Sequence, residues 1–213
     1  MAGRGGQAAD RKTQILTAAA GLLSAQGVQA LSFEAVAQAA GLSRQLVRYY
    51  FADLDALMAG LCDHLASGYR ELLIGGILEL REVERLGFFL DFFFDLAEAR
   101  RMPGDLEAYD ALVAWSVGAA PLRERMCAQY RTLGQVMVHE LAIAHPQLPM
   151  AACEELSFLF VSMMHAHWSF VASLGHSRDH GRLARKAMDR LIASYLADAS
   201  DVPTIEAPWA RER

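Results

Sequence analysis

The chain has 213 residues, 54% of them hydrophobic, with a formal net charge of −5, so it can bury a substantial core and its overall acidity argues against blanket binding to nucleic acid. Three cysteines, Cys62, Cys127 and Cys153, are odd in number and widely spaced, which fits a reducing compartment better than a secreted disulfide framework and reads as buried apolar filling. The charge is uneven: residues 1–52 carry Arg4, Arg11, Lys12, Arg44 and Arg48 against Asp10 and Glu34, a balance of +3 that leaves −8 on the remainder.

The opening MAGRGGQAADRKTQ holds no apolar segment of the secretory type, which predicts a cytoplasmic chain beginning with a flexible arm over residues 1–9,. A first helix is predicted from about Asp10 to Gln26, burying Ile15, Ala18, Ala19, Leu22 and Leu23, with Gly27 as its stop,. A short helix follows over Phe33 to Ala40, capped by Ser32, with Val36, Ala37 and Ala40 inward,. Gly41-Leu42-Ser43 makes a tight turn, and Ser43 caps a third helix, Arg44 to Tyr50, whose apolar side is Leu46, Val47 and Phe51.

A longer helix is expected from Asp53 to Gly75-Gly76 through Leu57, Leu61, Leu65, Tyr69 and Leu72. Beyond it the periodicity predicts helices at about Glu82 to Arg101, Asp105 to Gly118, Pro121 to Ala144, Met150 to Leu174 and Gly181 to Asp198, with Pro103, Pro121, Pro146 and Pro149 as breaks,. Strand patterns are nearly absent, so the fold class is all-α with about nine helices,. Residues 10–53 form one predicted domain, 54–200 a larger helical bundle, and 201–213 a frayed tail,.

Leu156 to His176 lacks Asp, Glu, Lys and Arg and is long enough to cross a bilayer,. Its serines, with His165 and His167, favour instead a helix buried on both faces. Along it Leu156, Leu159, Phe160, Met163, Met164, His167, Phe170, Val171 and Leu174 recur at helical intervals, answered in the last helix by Leu183, Ala187, Met188, Leu191 and Tyr195. Val161, His165, Trp168 and Ala172 line the other side. The pattern predicts a homodimer through the last two helices, with no membrane partner.

Two short helices around a glycine-containing turn, the second presenting basic and polar side chains, form the helix-turn-helix signature. Taken alone it is weak, since many helical pairs share it. The stretch from Arg11 to Leu57, however, resembles the TetR family of transcriptional regulators through Ile15-Leu16, Ala18-Ala19, Gly27, Ser32, Val36-Ala37, Ala40-Gly41-Leu42-Ser43, Val47, Phe51 and Leu57. The resemblance implies a cytoplasmic dimer that binds palindromic double-stranded DNA and is released as a repressor when a small apolar or aromatic effector binds.

The third helix is the element expected in the major groove, where each base pair offers a distinct pattern of donors and acceptors. Arg44 suits guanine and Gln45 suits adenine; Leu46 lies beside them, and Arg48 reaches either a base or a phosphate. Tyr49, Tyr50 and the Ser32 hydroxyl are expected on phosphates, with inter-helix packing equally open for Tyr50. Three residues depart from the family pattern: Arg48 replaces a usual tyrosine, Tyr50 a common histidine, and Leu54 a lysine that in relatives meets a phosphate. Arg11, Lys12 and the Arg4 arm are candidates to compensate.

Half of the ten phenylalanines fall within GFFLDFFFDLAEA, between Phe88 and Phe94, with Asp91, Asp95 and Glu98 spaced to share one wet face. Most of this stripe reads as core. The resemblance also implies an effector cavity among the central helices, for which Phe92, Phe93, Trp115, Met126, Tyr130, His165 and Trp168 are the candidate wall.

Catalytic or metal chemistry has no constellation here. No nucleophile stands with a base, no glycine loop precedes a strand, and the histidines lack ligand spacing, so no enzyme activity, metal or cofactor is expected. The alternative is a helical dimeric adaptor or small-molecule-binding protein whose helix-turn-helix is vestigial.

Overall fold

A computed structural model of the chain describes residues 3–98, 101–198, 208 and 209, with the side chains of residues 3–7 and 172 left aside. Every regular element among the described residues is a helix. In order they are α1 (Gly3–Gln26), α2 (Phe33–Ala40), α3 (Arg44–Tyr50), α4 (Leu54–Ile77), α5 (Glu82–Phe93), α6 (Leu106–Ser116), α7 (Ala120–Ala144), α8 (Met150–Ala172) and α9 (Gly181–Ala197), with 3-10 turns at Val28–Ala30 and Arg178–His180. No described helix is long and apolar enough to cross a membrane. The expected arm contact of Arg4 and the tail, apart from residues 208 and 209, lie outside what is described.

The helices divide between two compact units. The first comprises α1, α2, α3, α4 as far as Gly68, α6, and α7 as far as Cys127; the second holds the rest of α4 and α7 with α5, α8 and α9.

In the first unit α1 contributes Ile15, Leu16, Ala19 and Leu23 to the core, α2 Val36, Ala37 and Ala40, α3 Val47 with Phe51 beyond it, and α4 Leu57, Met58 and Leu61. The hydrophobic spacing placed these stripes correctly, except that Ala18 and Leu22 stand half-buried at the edge while Leu16 is inside. Gly60 sits where a Cβ would come 2.8 Å from the Phe51 ring, so its small size lets that ring pack onto α4. The Gln14 amide donates to the Ala40 carbonyl at 2.8 Å, tying α1 to the end of α2. Trp115 Nε1 of α6 donates to Asp55 Oδ1 of α4 at 2.7 Å, and Arg125 pairs with Asp63.

The second unit is built on aromatic rings. Phe160 of α8 lies 5.8 Å from Phe89, 5.9 Å from Phe93 and 5.9 Å from Phe94, centroid to centroid. These separations are those of favourable tilted and edge contacts. Gly181 opens α9 so close to the Phe94 carbonyl that any Cβ would collide with it. Asp91 accepts from Arg185 Nε at 2.7 Å, and Arg178 lies 3.4 Å from Asp95.

Several expectations change. Helix α1 starts at Gly3 rather than near Asp10, because Gln7, Ala8 and Ala9 are good helix formers that prolong it backwards. Helix α5 stops at Phe93, short of Arg101. Asp95 adopts φ 56°, a left-handed conformation that Asp tolerates, while Leu96 N donates to Asp91 O and Asp95 N to Phe92 O. That bond pair closes the helix as a Schellman motif. Asp91 and Asp95 consequently do not extend one helical face; each holds its own arginine.

Cys62 and Cys153 are buried, but Cys127 is exposed, because Leu122 and Met126 take the inward positions of that part of α7. On α8, Leu156, Phe160 and Met164 are fully buried within the chain itself and are unavailable to a partner. Period 3.6 recognises two apolar faces without saying which is inward. The outward row of α8 instead carries Met150, Phe158 and Phe170, with Leu174 just past the helix and Leu183 exposed on α9.

Candidate nucleic-acid interface and effector residues

Local backbone chemistry sets the turn and the bounds of α2 and α3. Ser32, in an extended conformation, accepts from Ala35 N at 3.1 Å and starts α2. Ser43 accepts from Leu46 N at 3.2 Å and starts α3. Between them Gly41 takes φ 63°, with Leu42 N donating to Ala37 O and Gly41 N to Gln38 O. This second Schellman motif reverses the chain within three residues. Asp53 Oδ1 accepts from Ala56 N at 2.7 Å and caps the start of α4.

With the helix ends set, α3 buries Val47 completely and leaves Arg44, Gln45, Arg48 and Tyr49 exposed. Positions 44, 45, 48 and 49 are neighbours on a helix surface, so the exposed residues form one polar and basic face. Tyr49 is 81% exposed. Tyr50 is half-buried and meets Tyr49 edge-on at 5.3 Å. Leu46 is also half-buried, at the margin of the face.

Helix α2 braces both arginines. The Arg48 guanidinium lies over the Phe33 ring, 5.7 Å from its centroid, and Arg44 approaches Glu34 at 3.9 Å. Spacing within one helix gave no sign of these contacts, since they join two helices. Lys12 Nζ lies 5.8 Å from the Phe51 centroid, and Arg11 donates to Gln14 Oε1 at 2.8 Å. The Ser32 hydroxyl uses its oxygen as the cap and keeps its own proton to donate. Leu54, half-buried, is the first residue of α4.

Five of the effector candidates belong to the second unit: Phe92, Phe93, Tyr130, His165 and Trp168. Phe92, Phe93 and Trp168 are buried. Trp168 Nε1 donates to the Phe93 carbonyl at 2.9 Å and its ring stacks on Tyr69 at 5.6 Å. Tyr130 Oη and His165 Nδ1 are 3.0 Å apart and only part-buried. Trp115 and Met126 belong to the first unit. Tyr69, expected only as an apolar position of the fourth helix, and Phe160, expected on the dimer face, complete the aromatic surroundings of Trp168 and Phe93. His167 faces Phe94 at 5.8 Å, and burial, aided by the charge of His180, holds its imidazole below the usual range.

Residues 15–61, which contain α2, the turn and α3, match the model of bacterial regulatory proteins of the tetR family. The match is confined to this N-terminal stretch, which is similar to the DNA-binding domain of that family. Solved structures share the fold of this chain. A TetR transcription regulator from Haloarcula marismortui is similar at a TM-score of 0.75, with 16% identity over 87% of this chain and 98% of that one. A transcriptional regulator from Rhodococcus sp. Rha1 gives 0.69, with 17% identity over 90% and 99%. The multidrug binding protein EbrR, complexed with imidazole, gives 0.61, with 19% identity over 92% and 97%. No curated protein matches the chain. The chain thus joins a helix-turn-helix similar to that of the tetR family to a further helical part.

Proposed function

We propose that this regulator is a homodimeric, ligand-released repressor that reads an inverted-repeat operator with α3. The observation that carries the reading is the face of α3: Arg44, Gln45, Arg48 and Tyr49 exposed beside a fully buried Val47, on a helix capped at its start. Arg44 and Gln45 supply base readout, and Ser32, Tyr49 and Tyr50 set register on phosphates. The domain division proposed is 10–53 for DNA and 54–200 for effector and dimer.

Support for dimerisation comes from the outward apolar row of Phe158, Phe170 and Leu174, joined by Leu183. A twofold pairing through α8 and α9 would present two α3 helices to half-sites about one DNA turn apart. For the effector, the part-buried Tyr130–His165 pair beside an aromatic core offers polar anchors for a flat, apolar molecule, with Phe92, Phe93 and Trp168 as wall,. EbrR, which shares the fold, is described in complexes with imidazole and with ethidium.

The test is selection of bound fragments from sheared genomic DNA of the source, followed by anisotropy at several salt concentrations. A shared inverted repeat with nanomolar binding, and relaxed specificity in Arg44→Ala and Gln45→Ala, is the expected result. No enrichment over random fragments, with binding indifferent to both substitutions, would favour the adaptor reading. Unchanged operator affinity at saturating levels of a ligand that binds the protein would remove the release mechanism for that ligand.

A further inference from the structure

One aromatic side chain in the second unit has no part in the operator reading. Trp209 lies against α7 and α8 in a notch whose floor is Gly134: a Cβ at that position would overlap the indole ring. The ring stands 5.8 Å from Phe158, centroid to centroid, and its Nε1 donates to Ser157 Oγ at 3.1 Å. Ser157 is completely buried, and its hydroxyl donates to the Gly134 carbonyl at 2.7 Å.

The chemistry of that hydroxyl defines what the notch accepts. A serine hydroxyl has a single proton to donate. Here the proton is committed to Gly134 O, so only lone pairs are presented outward, and a ring nitrogen bearing hydrogen satisfies them where a bare acceptor nitrogen cannot. The missing Cβ of Gly134 admits a flat ring face-on, and Phe158 supplies an aromatic neighbour.

We propose that Gly134, Ser157 and Phe158 form a binding site for an indole-type aromatic N–H donor, of which Trp209 is the tethered occupant. An occupant on the same chain acts at an effective concentration in the millimolar range. A free ligand of the same class therefore enters the intact chain only by outcompeting Trp209.

The test uses the full chain carrying Trp209→Ala, titrated calorimetrically with indole and with N-methylindole. Indole is expected to bind the variant in the millimolar range and the wild type at least about twofold more weakly, since an effective concentration equal to the dissociation constant halves the free site. N-methylindole, which leaves the Ser157 acceptor unpaired, should bind the variant about tenfold more weakly than indole. Equal indole binding by wild type and variant, no binding by either, or equal affinity for the two indoles would overturn the proposal. A second measurement does not depend on the folding of that variant: fluorine NMR of the fluorotryptophan-labelled chain. The Trp209 resonance should lie away from the random-coil position and move towards it in Ser157→Ala; a random-coil position in the wild type would equally sink the site.

Discussion

The guanidinium of Arg48 rests over the ring of Phe33, 5.7 Å from its centroid, so the α3 arginine that stands where the family resemblance expects a tyrosine is held by α2. An exposed cation–π contact is worth about 0.5–1 kcal/mol. On the proposed operator reading, Phe33→Leu should weaken binding about two- to fivefold by letting Arg48 leave its position. In an Arg48→Ala background the same change should have no further effect, which a double-mutant cycle by anisotropy would measure. Additive losses would mean that Phe33 acts through the core alone.

The turn between α2 and α3 depends on the left-handed conformation of Gly41, φ 63°. No side chain would be obstructed there, since nothing lies within 4 Å of an added Cβ. The cost of Gly41→Ala is therefore conformational, about 1–2 kcal/mol. Denaturant unfolding of Gly41→Ala should show that loss, and Gly41→Asn should recover part of it because Asn tolerates the left-handed region.

Leu54 opens α4 where relatives place a phosphate-binding lysine. Leu54→Lys should steepen the dependence of log affinity on log salt by about one unit, since one more phosphate would be neutralised. An unchanged slope would show that the start of α4 lies off the DNA backbone.

Glu140 of α7 is buried, and its Oε2 has no hydrogen-bond partner among the described residues. Burial pushes its carboxyl above the ordinary 4.5, against the opposing pull of His139 and Arg85. The unfolded chain thus releases this proton at lower pH than the folded one. The stability tied to the protonated form is complete below 4.5 and is lost as pH rises through the raised value,. Glu140→Gln should accordingly raise the melting temperature at pH 7 and above, by about 2 °C or more. The advantage should shrink as pH falls towards the ordinary carboxyl range, and thermal melts across pH 5–8 would detect the trend. A constant difference at every pH would assign the effect to packing.

The N-terminal half of the story was legible in the residues because its signals are local. Ser32 and Ser43 cap, Gly41 turns, and Val36, Ala37, Ala40 and Val47 repeat at helical spacing, so the bounds of α2 and α3 and the polar face of α3 followed without tertiary information. Inter-helix contacts were not legible. Nothing in the spacing of α2 places Phe33 over Arg48, or Trp209 onto Gly134 and Ser157, because such pairs are made by residues far apart in the chain.

The aromatic run of α5 illustrates the same division. Helical periodicity with almost no strand pattern determined an all-α chain, and the aromatic stripe at 88–94 read as mostly core. Where the helix stops was decided by Asp95 turning left-handed. Likewise the periodicity of α8 determined that two of its faces are apolar, while burial of Leu156, Phe160 and Met164 against the chain's own core, and exposure of Phe158 and Phe170, were decided only by packing. Local propensity is a property of neighbouring residues; the choice between two equivalent apolar faces is a property of what the rest of the chain brings against them.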